Sequence, residues 1–532
     1  MGRRRVRVAM AAGVVVAGMG AGIDHYVMAD AMQRSVRAAW NGALVAVDYK
    51  VNFRAGRDAD ALERVHERCA TRILETCRKN GGLYIKFGQQ IASLQVLPRP
   101  FAQFRTLYDK APPVPIEQVQ QVITQELGDA PERIFKEFDP VPCASASIAQ
   151  VHRATLHDGR RVAVKVQRPA ISAQIGSDLF LHRTLLMIME KLFDLPLSWS
   201  ADYVGSQLRL ETDFENEARN SYRSRNELSP SLAKRVHIPA VVEECSTKRV
   251  LTCEWIDGIP LTDLDSLKEE KYDVNAVMST IVDLFSHQIF MTGFTHCDPH
   301  PGNILIRRRA DGGPEVVLID HGLYVEESPE FRLDYCRLWR SLFTYDLPVV
   351  ERIVKKWGLG DAQLFASATL MRPWRPASNH SASAPTSTAD LYEIQMAAKQ
   401  GLKNHLQHTT VMPKELIFIG RSLNLVRSNN KALGSPVNRI AVMAQHAVAS
   451  LGKHRAAQTN TINGLMRRAV EVCTFRLSLA VLSVSFWWSR FKQHVTGLFG
   501  GRSRGFEDIM DDNMVSLAND MGFVVDTSMF DG

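Results

Sequence analysis

The chain has 532 residues, 45% of them hydrophobic and 23% charged, a balance that excludes an intrinsically disordered protein and suits a folded one of two or more structural units. The formal net charge of +7 is spread along the chain apart from Arg3, Arg4, Arg5 and Arg7. It therefore argues for targeting and against nucleic-acid binding.

The first stretch, MGRRRVRVAMAAGVVVAGMGAGIDHYVM, is basic and then small and apolar, with no acidic residue before Asp24. A mitochondrial presequence, a secretory signal or a short membrane anchor would read this way, and arginines without acids favour the first. The apolar run from Val8 to Ile23 falls short of the about 20 residues that a spanning helix needs. Residues 1–50 are assigned to targeting or anchoring, with a disordered tail as the alternative.

Residues 51–140 read as a helical extension. Leu62, Val65, Cys69, Ile73 and Cys77 recur at three or four residues before NGGLYIKFGQQIASL. LPRP and APPVP break the rhythm, and IEQVQQVITQEL resumes it until Gly128. From 141 to 256 the pattern turns strand-like: SIAQVHRATL, an HDGR turn and RVAVKVQ form a β-hairpin ended by Pro169. A long helical tract through Asn220 follows, then a strand at RVLTCEWI. Residues 257–345 begin with an apolar helix, NAVMSTIVDLFSHQIFMTG, that leads into GFTHCDPHPGN; the short strands NILI and EVVLID follow. Residues 346–500 are helical again, interrupted by the Ser/Thr-rich NHSASAPTSTAD, a solvated loop. Val472–Trp488 is apolar apart from Arg476 and reads either as a buried helix or as a membrane-interface helix with Trp487 and Trp488 at the boundary. The acidic residues 501–532 read as a loosely ordered tail. The eight cysteines include no C-x-x-C pair and read as reduced, mostly buried thiols. The fold class is α+β in a two-lobed layout.

Three segments carry chemistry. In GFTHCDPHPGN, Asp298 and Asn303 are five positions apart, with Pro299, Pro301 and Gly302 turning the backbone between them. A kinase catalytic loop has this spacing: an aspartate for the acceptor group, an asparagine for Mg²⁺. VVLIDHGLY ends an apolar strand with Asp320, where a carboxylate can ligate Mg²⁺ on nucleotide phosphates, since a hard ion takes oxygen ligands. RVAVKVQ places Lys165 on a strand with Val164 and Val166 on the opposite face, as a phosphate-binding lysine would be. A buried ammonium needs a partner. LRLETDFENEARN offers Glu211, Asp213, Glu215 and Glu217, of which Glu217 is a candidate; by itself the run could be a solvated acidic face. A zinc site from His296, Cys297 and His300 matches no common structural spacing, and a purely structural turn leaves the other two segments unexplained.

No G-x-G-x-x-G precedes Lys165. PCASASIAQVH stands there instead, and YIKFGQQ upstream has the form K-x-G-Q. With the ETD at Glu211–Asp213 and HCDPHPGN, these features resemble the UbiB, or aarF-domain-containing, family of atypical kinases over roughly Ala59–Tyr345. LIDHGLY followed by YCRLWRSL is similar to the family's kinase 1 branch, associated with mitochondrial membrane organisation. The resemblance implies a protein-kinase-like fold with helical N- and C-terminal extensions, binding ATP or ADP with Mg²⁺, and an ATPase or a kinase of small molecules or lipids. By it, Lys86, Gln89, Glu211 and Asp213 would form a regulatory lid, with Lys86 held by Glu211 and Asp213, while Glu217 pairs Lys165. Ala144, Ser145, Ala146 and Ser147 would cover the nucleotide in place of a Gly-rich loop, and Glu254 and Ile256 would also bind it. Asn303 and Asp320 would hold the metal, and Asp298, Lys165 and Glu217 would be catalytic. An Ala/Ser loop is stiffer than a glycine loop, which should restrict a protein substrate. The expected partners are an adenine nucleotide, an unidentified small-molecule or lipid acceptor and a membrane surface, and the expected location is mitochondrial, at the inner membrane. The chain departs from the commoner pattern at His321 of Asp320-His321-Gly322, at Cys143 and Ser145 among the alanines, and at Cys297. A nucleotide-gated scaffold and a protein serine/threonine kinase are the alternatives.

Overall fold

The computed structural model describes residues 30–54, 57–92, 98–108, 111–194, 198–360, 362–370, 412–455, 462–499 and 504–520, with Asp24 and Trp374. The basic apolar leader and the Ser/Thr-rich segment lie outside these residues. The chain divides into two units, Met1–Glu215 with Val242–Glu254, and Asn216–Val241 with Trp255–Gly532.

In the first unit, α1 (Ala31–Asn52), α2 (Ala59–Asn80) and α3 (Leu83–Ala92) form the helical part, joined by α4 (Ile116–Leu127), α5 (Pro169–Phe193) and α6 (Ala201–Glu211). Helix α1 starts within the segment read as targeting, yet it belongs to the fold. Its Arg34 donates to Asp178 of α5 at 2.5 Å, and both side chains are buried. The expected long helix through Asn220 is three helices: α5, α6 and α7 (Phe214–Asn226), which begins in this unit and continues into the second. Thr212 and Asp213, which disfavour helix interiors, fall at the break between the last two. At α4 the expectation held to the residue: Gly128 ends the helix in the left-handed conformation.

The strands of the first unit are β1 (Glu137–Phe138), β2 (Ala144–Ser145), β3 (Ala149–Thr155), β4 (Arg161–Gln167) and, after β5 (Val236–His237) of the second unit, β6 (Val250–Glu254). They pair in the order β1-β3-β4-β6, with β2 also on β3, and β3 and β4 form the antiparallel hairpin read from the sequence. Along β4, Val162, Val164 and Val166 enter a core with Val119, Val122 and Ile123 of α4. The two-residue period of a strand therefore sends Lys165 to the other face.

The second unit holds β7 (Ile259–Pro260), β8 (Phe294–His296), β9 (Ile304–Arg308), β10 (Pro314–Leu318) and β11 (Tyr324–Glu326) in sheets ordered β5-β10-β9-β7 and β11-β8. Its core gathers α8 (Val274–His287) and α9 (Pro329–Thr344) around Phe285, Phe290, Trp339 and Phe343. After α8 a π-turn, Gln288–Thr292, ends at Gly293. Gly293 has φ +73°, and an added Cβ would lie 2.8 Å from Arg332 Nη1, so glycine is favoured where the chain enters β8.

The C-terminal helices are α10 (Glu415–Ala432), α11 (Arg439–Arg455), α12 (Ile462–Leu498) and α13 (Phe506–Asp520). Helix α12 follows neither reading of Val472–Trp488 alone. Phe475, Leu479, Leu482 and Phe486 are buried, whereas Leu477, Val481, Val484, Trp487, Trp488 and Phe491 are exposed. Residues Val470–Thr496 are long and apolar enough to cross a membrane by length and composition, with a mean hydropathy of 1.5. The acidic tail differs from its expectation through residue 520. Helix α13 buries Phe506 and Met510, and its Glu507 and Asp511 meet buried arginines: Arg439 Nε donates to Glu507 at 2.9 Å, and Arg427 pairs with Asp511. Two acids of the stretch read as a loosely ordered tail are thus anchors. All eight cysteines are free; four are buried, while Cys143 and Cys473 are exposed.

Candidate active site

Candidate residues fall in both units, and each set has its own frame. In the first unit, helix α3 carries the K-x-G-Q segment. Gly88 is there because the helix packs against Arg99–Tyr108 too closely for a side chain: an added Cβ would stand 2.1 Å from Leu107 Cδ1. Gln89 fixes the same contact by donating to the Leu107 carbonyl at 2.9 Å. Thus held, the helix presents Lys86 to Glu211 at the end of α6, and the two form an ion pair with side chains 17% and 11% exposed. Asp213 has a different task from the one expected. Its carboxylate accepts from the Glu215 amide at 3.1 Å and caps the start of α7. Phe87 stacks on His182 of α5 with ring centroids 4.1 Å apart, and burial pushes the His182 imidazole down to about 4.

Lys165 lies opposite Val151 of β3 and Leu251 of β6, on the central strand. Its Nζ stands 5.2 Å from the ring centroid of the buried Phe214, a cation–π contact that holds an ammonium on an apolar floor. The Ala/Ser segment forms a tight turn: Ala144 and Ser145 pair with β3, and the Ala146 amide donates to the Ala149 carbonyl at 2.8 Å. Arg168, passed over in the sequence, clamps this turn, with Nε on the Ala146 carbonyl at 2.9 Å and Nη2 on Ser145 Oγ at 2.9 Å. Its position just after the β4 lysine strand, before Pro169, was the available signal. Ser147 is buried. Glu254 ends β6 opposite Val162, and Ile256, the first buried residue beyond it, belongs to the second unit.

In the second unit one buried imidazole organises the catalytic-loop residues. His296 Nε2 donates to the Asp320 carbonyl at 2.7 Å, and its Nδ1 accepts from the Asp298 amide at 3.0 Å. Burial lowers the His296 pKa, in keeping with a neutral ring that donates at one nitrogen and accepts at the other. Asp298 and Asp320 thus hang on the two sides of one side chain. Asn303 Nδ2 donates to the Asp298 carbonyl at 3.2 Å, and the Ile319 amide to the Asn303 carbonyl at 3.1 Å. Asp320 Oδ1 accepts from the Gly322 amide at 2.9 Å. The His300 ring accepts from the Gly302 amide at 3.2 Å, and buried Cys297 Sγ lies 3.2 Å from the Thr295 carbonyl, so His296, Cys297 and His300 serve three separate contacts.

His321 takes the place of the usual phenylalanine by satisfying both nitrogens: Nδ1 meets Tyr324 Oη at 2.9 Å, and Nε2 donates to the Leu318 carbonyl at 3.0 Å. Buried Glu217 accepts from the His321 amide at 3.4 Å, and Asn220 Nδ2 donates to its carbonyl at 3.0 Å, so α7 grips the segment after Asp320 on both backbone groups. For Mg²⁺, the side-chain amide oxygen of Asn303 and the Asp320 carboxylate are hard donors of the right type. An ion that keeps waters and takes its remaining ligands from phosphates needs one or two such groups. The donor set therefore fits.

One further contact was not legible beforehand. Arg421 Nη2 of α10 donates to Asp298 Oδ1 at 2.8 Å. Its sequence offers no signal, being one arginine among many on a helix far from the loop.

Residues 106–354 match the model of the ABC1 atypical kinase-like domain. The chain is 38% identical over 442 residues to the ABC1 family protein C10F6.14c of Schizosaccharomyces pombe, covering 82% of each chain. It is 36% identical over 431 residues to AarF domain-containing protein kinase 1 of Mus musculus, covering 79% of this chain and 82% of that one. To the probable serine/threonine-protein kinase abkD of Dictyostelium discoideum it is 34% identical, covering 86% of this chain and 66% of the relative. The matched segment contains Lys165, Glu217, Asp298, Asn303 and Asp320, and the likeness runs through most of both chains: this protein belongs to the ABC1, or AarF-domain-containing, family of atypical kinases.

Proposed function

We propose that the protein binds ATP or ADP with Mg²⁺ and acts as an ATPase or as a kinase of a small-molecule or lipid acceptor, in mitochondrial membrane and lipid homeostasis. The observation that carries this reading is the His296 frame, which ties Asp298, Asn303 and Asp320 into one bonded unit. Asn303 and Asp320 would hold Mg²⁺, which when bound offsets the charge of the nucleotide phosphates. Lys165 and Glu217 position the phosphates, and the stiff Ala144–Ser147 turn, clamped by Arg168, covers the nucleotide together with Glu254 and Ile256. Asp298 orients the acceptor. The Lys86–Glu211 pair, with Gln89 and Asp213 fixing the two helix ends, regulates access. The exposed apolar face of α12, with Arg490 and Lys492 beside Trp487 and Trp488, supports attachment to a membrane surface, for which we propose the mitochondrial inner membrane. Coenzyme Q metabolism is one setting for such a role.

The test is a thermal shift of the full chain with ATP and ADP, with and without Mg²⁺, beside Asp320→Asn. A ligand at a hundredfold excess over Kd stabilises by about 2.7 kcal/mol. A Mg²⁺-dependent shift lost in the variant is expected; no shift with either nucleotide would overturn the reading. A nucleotide-gated scaffold is the second reading, favoured by the ion pair that already occupies Asp298. It requires biological activity to survive Asp298→Asn. Efficient phosphorylation of peptides in trans would instead support a protein serine/threonine kinase and defeat the lid.

A further inference from the structure

The cation on Asp298 comes from outside the matched domain. Arg421 lies 123 residues beyond Asp298, on α10, and the pair is sheltered, with the guanidinium 9% and the carboxylate 17% exposed. Two neutral contacts from the same helix already fix the loop. Ser422 Oγ donates to the His296 carbonyl at 3.0 Å, and Asn429 Nδ2 to the Pro299 carbonyl at 2.9 Å. As a strut, Arg421 is redundant with these. As a source of stability it is poor, because desolvation offsets the attraction within a sheltered ion pair. What it adds is positive charge at the acceptor carboxylate, in the planar fork that matches phosphate.

The helix is also held rigidly from behind. Arg427 pairs with Asp511, and Lys431 Nζ donates to Asp511 at 2.8 Å, both from the helix that carries Arg421. A guanidinium on so firm a support is placed for recognition. His300, two residues beyond Asp298 in the loop, uses its ring to accept from the Gly302 amide.

We propose that Arg421 is the anion-recognition residue of the acceptor site, and that the acceptor is a hydroxyl compound bearing a phosphate near the reacting hydroxyl. This rests on the phosphoryl-transfer reading above. With no acceptor, Arg421 holds Asp298. An incoming phosphate group competes for the guanidinium and releases the carboxylate to the hydroxyl. The hydroxyl oxygen then forms a bond to the γ-phosphorus of ATP, the bond from that phosphorus to the β–γ bridging oxygen breaks, ADP leaves with the electron pair, and the hydroxyl proton passes to Asp298. The phosphate can belong to a soluble monoester or to a phospholipid headgroup.

The experiment measures ADP release and labelled phosphate transfer from Mg-ATP by the full chain with glycerol 3-phosphate, glycerol, phosphatidylglycerol vesicles or phosphatidylcholine vesicles. Stimulation by glycerol 3-phosphate and not by glycerol identifies a soluble acceptor; stimulation by phosphatidylglycerol alone identifies a lipid one. In either case Arg421→Ala should raise KM for the stimulating compound by roughly 10- to 100-fold, the weight of a charge-assisted contact, and Arg421→Lys should recover part of it. The nucleotide thermal shift is run on every sample. Its absence in the wild type overturns the nucleotide reading, and its absence in Arg421→Ala alone passes the KM comparison to Arg421→Lys. With the wild-type shift intact, equal response to glycerol and glycerol 3-phosphate, no response to any of the four, or a fall in kcat at unchanged KM overturns the proposal.

Discussion

The two units each hold a candidate site residue in an ion pair on a fixed helix, but they fix the helix by opposite means. In the first, Lys86 meets Glu211 from a helix seated by close packing, with Gly88 against Leu107. In the second, Arg421 meets Asp298 from a helix seated by buried charge, its Arg427 and Lys431 both on Asp511. Packing tolerates loss of a contact gradually, whereas a buried charge deprived of its partner is left with its full desolvation cost. The ends differ as well. A lysine is a point charge on a flexible stem and can swing away, which suits a lid; an arginine is a rigid fork, which suits recognition.

Asp511→Ala gives the largest expected effect. It leaves Arg427 buried without its carboxylate and should cost about 3–5 kcal/mol in denaturant unfolding of the second unit. A loss below about 1 kcal/mol would show that α13 does not anchor α10 and would remove the contrast.

The pH responses come next, and they oppose each other. His182 in the first unit is lowered from 6.5 to about 4 by burial, so unfolding binds a proton there at acid pH. Its contribution is complete above 6.5 and is lost as pH falls towards 4. Glu327 in the second unit, buried with Thr295 donating to it at 2.7 Å, is raised from 4.5 to about 8 by burial. Its contribution is present below 4.5 and is lost as pH rises through 8. Each tenfold change in proton affinity between the folded and unfolded chain is worth about 1.4 kcal/mol, so over their full ranges the His182 limb amounts to roughly 3 kcal/mol and the Glu327 limb to roughly 5 kcal/mol. His182→Leu should flatten the acid limb of thermal unfolding and Glu327→Gln the alkaline one; unchanged limbs would break the assignment.

Gly88→Ala should destabilise the first unit by about 1–3 kcal/mol, since the new methyl overlaps Leu107 and the helix must shift. If Leu107 simply rotates aside, the cost vanishes and close packing is not what seats Lys86. The smallest effect expected is from Arg168→Ala, which frees the Ala/Ser turn and should weaken nucleotide binding about fivefold, at about 1 kcal/mol, in the thermal-shift titration.

Local chemistry explains which features could be read beforehand. The β3–β4 hairpin, the alternation that sets Lys165 opposite Val164 and Val166, and the Gly128 stop of α4 depend on neighbours within a few residues. The Lys86–Glu211 pair joins distant segments and was expected only through the family resemblance. Other features did not show. Asp213 was expected beside Lys86 but caps α7, because a short carboxylate at a helix start has a nearer amide to satisfy. Glu507 and Asp511 fell in the stretch read as a loosely ordered acidic tail, since nothing local reveals that two buried arginines await them.

By itself, then, the sequence determined the elements and the chemical types at the site: a lysine on a β-strand, an aspartate and an asparagine five residues apart, a second aspartate at a strand end. Their order and short-range periodicity carry that much, because backbone preference and side-chain alternation act over a few residues. The tertiary structure alone decided what each charge faces: His296 between Asp298 and Asp320, Arg168 on the Ala/Ser turn, Arg421 on Asp298. A charge finds its partner through space, and residues 123 positions apart in the chain come within hydrogen-bond distance only once the helices that carry them have packed.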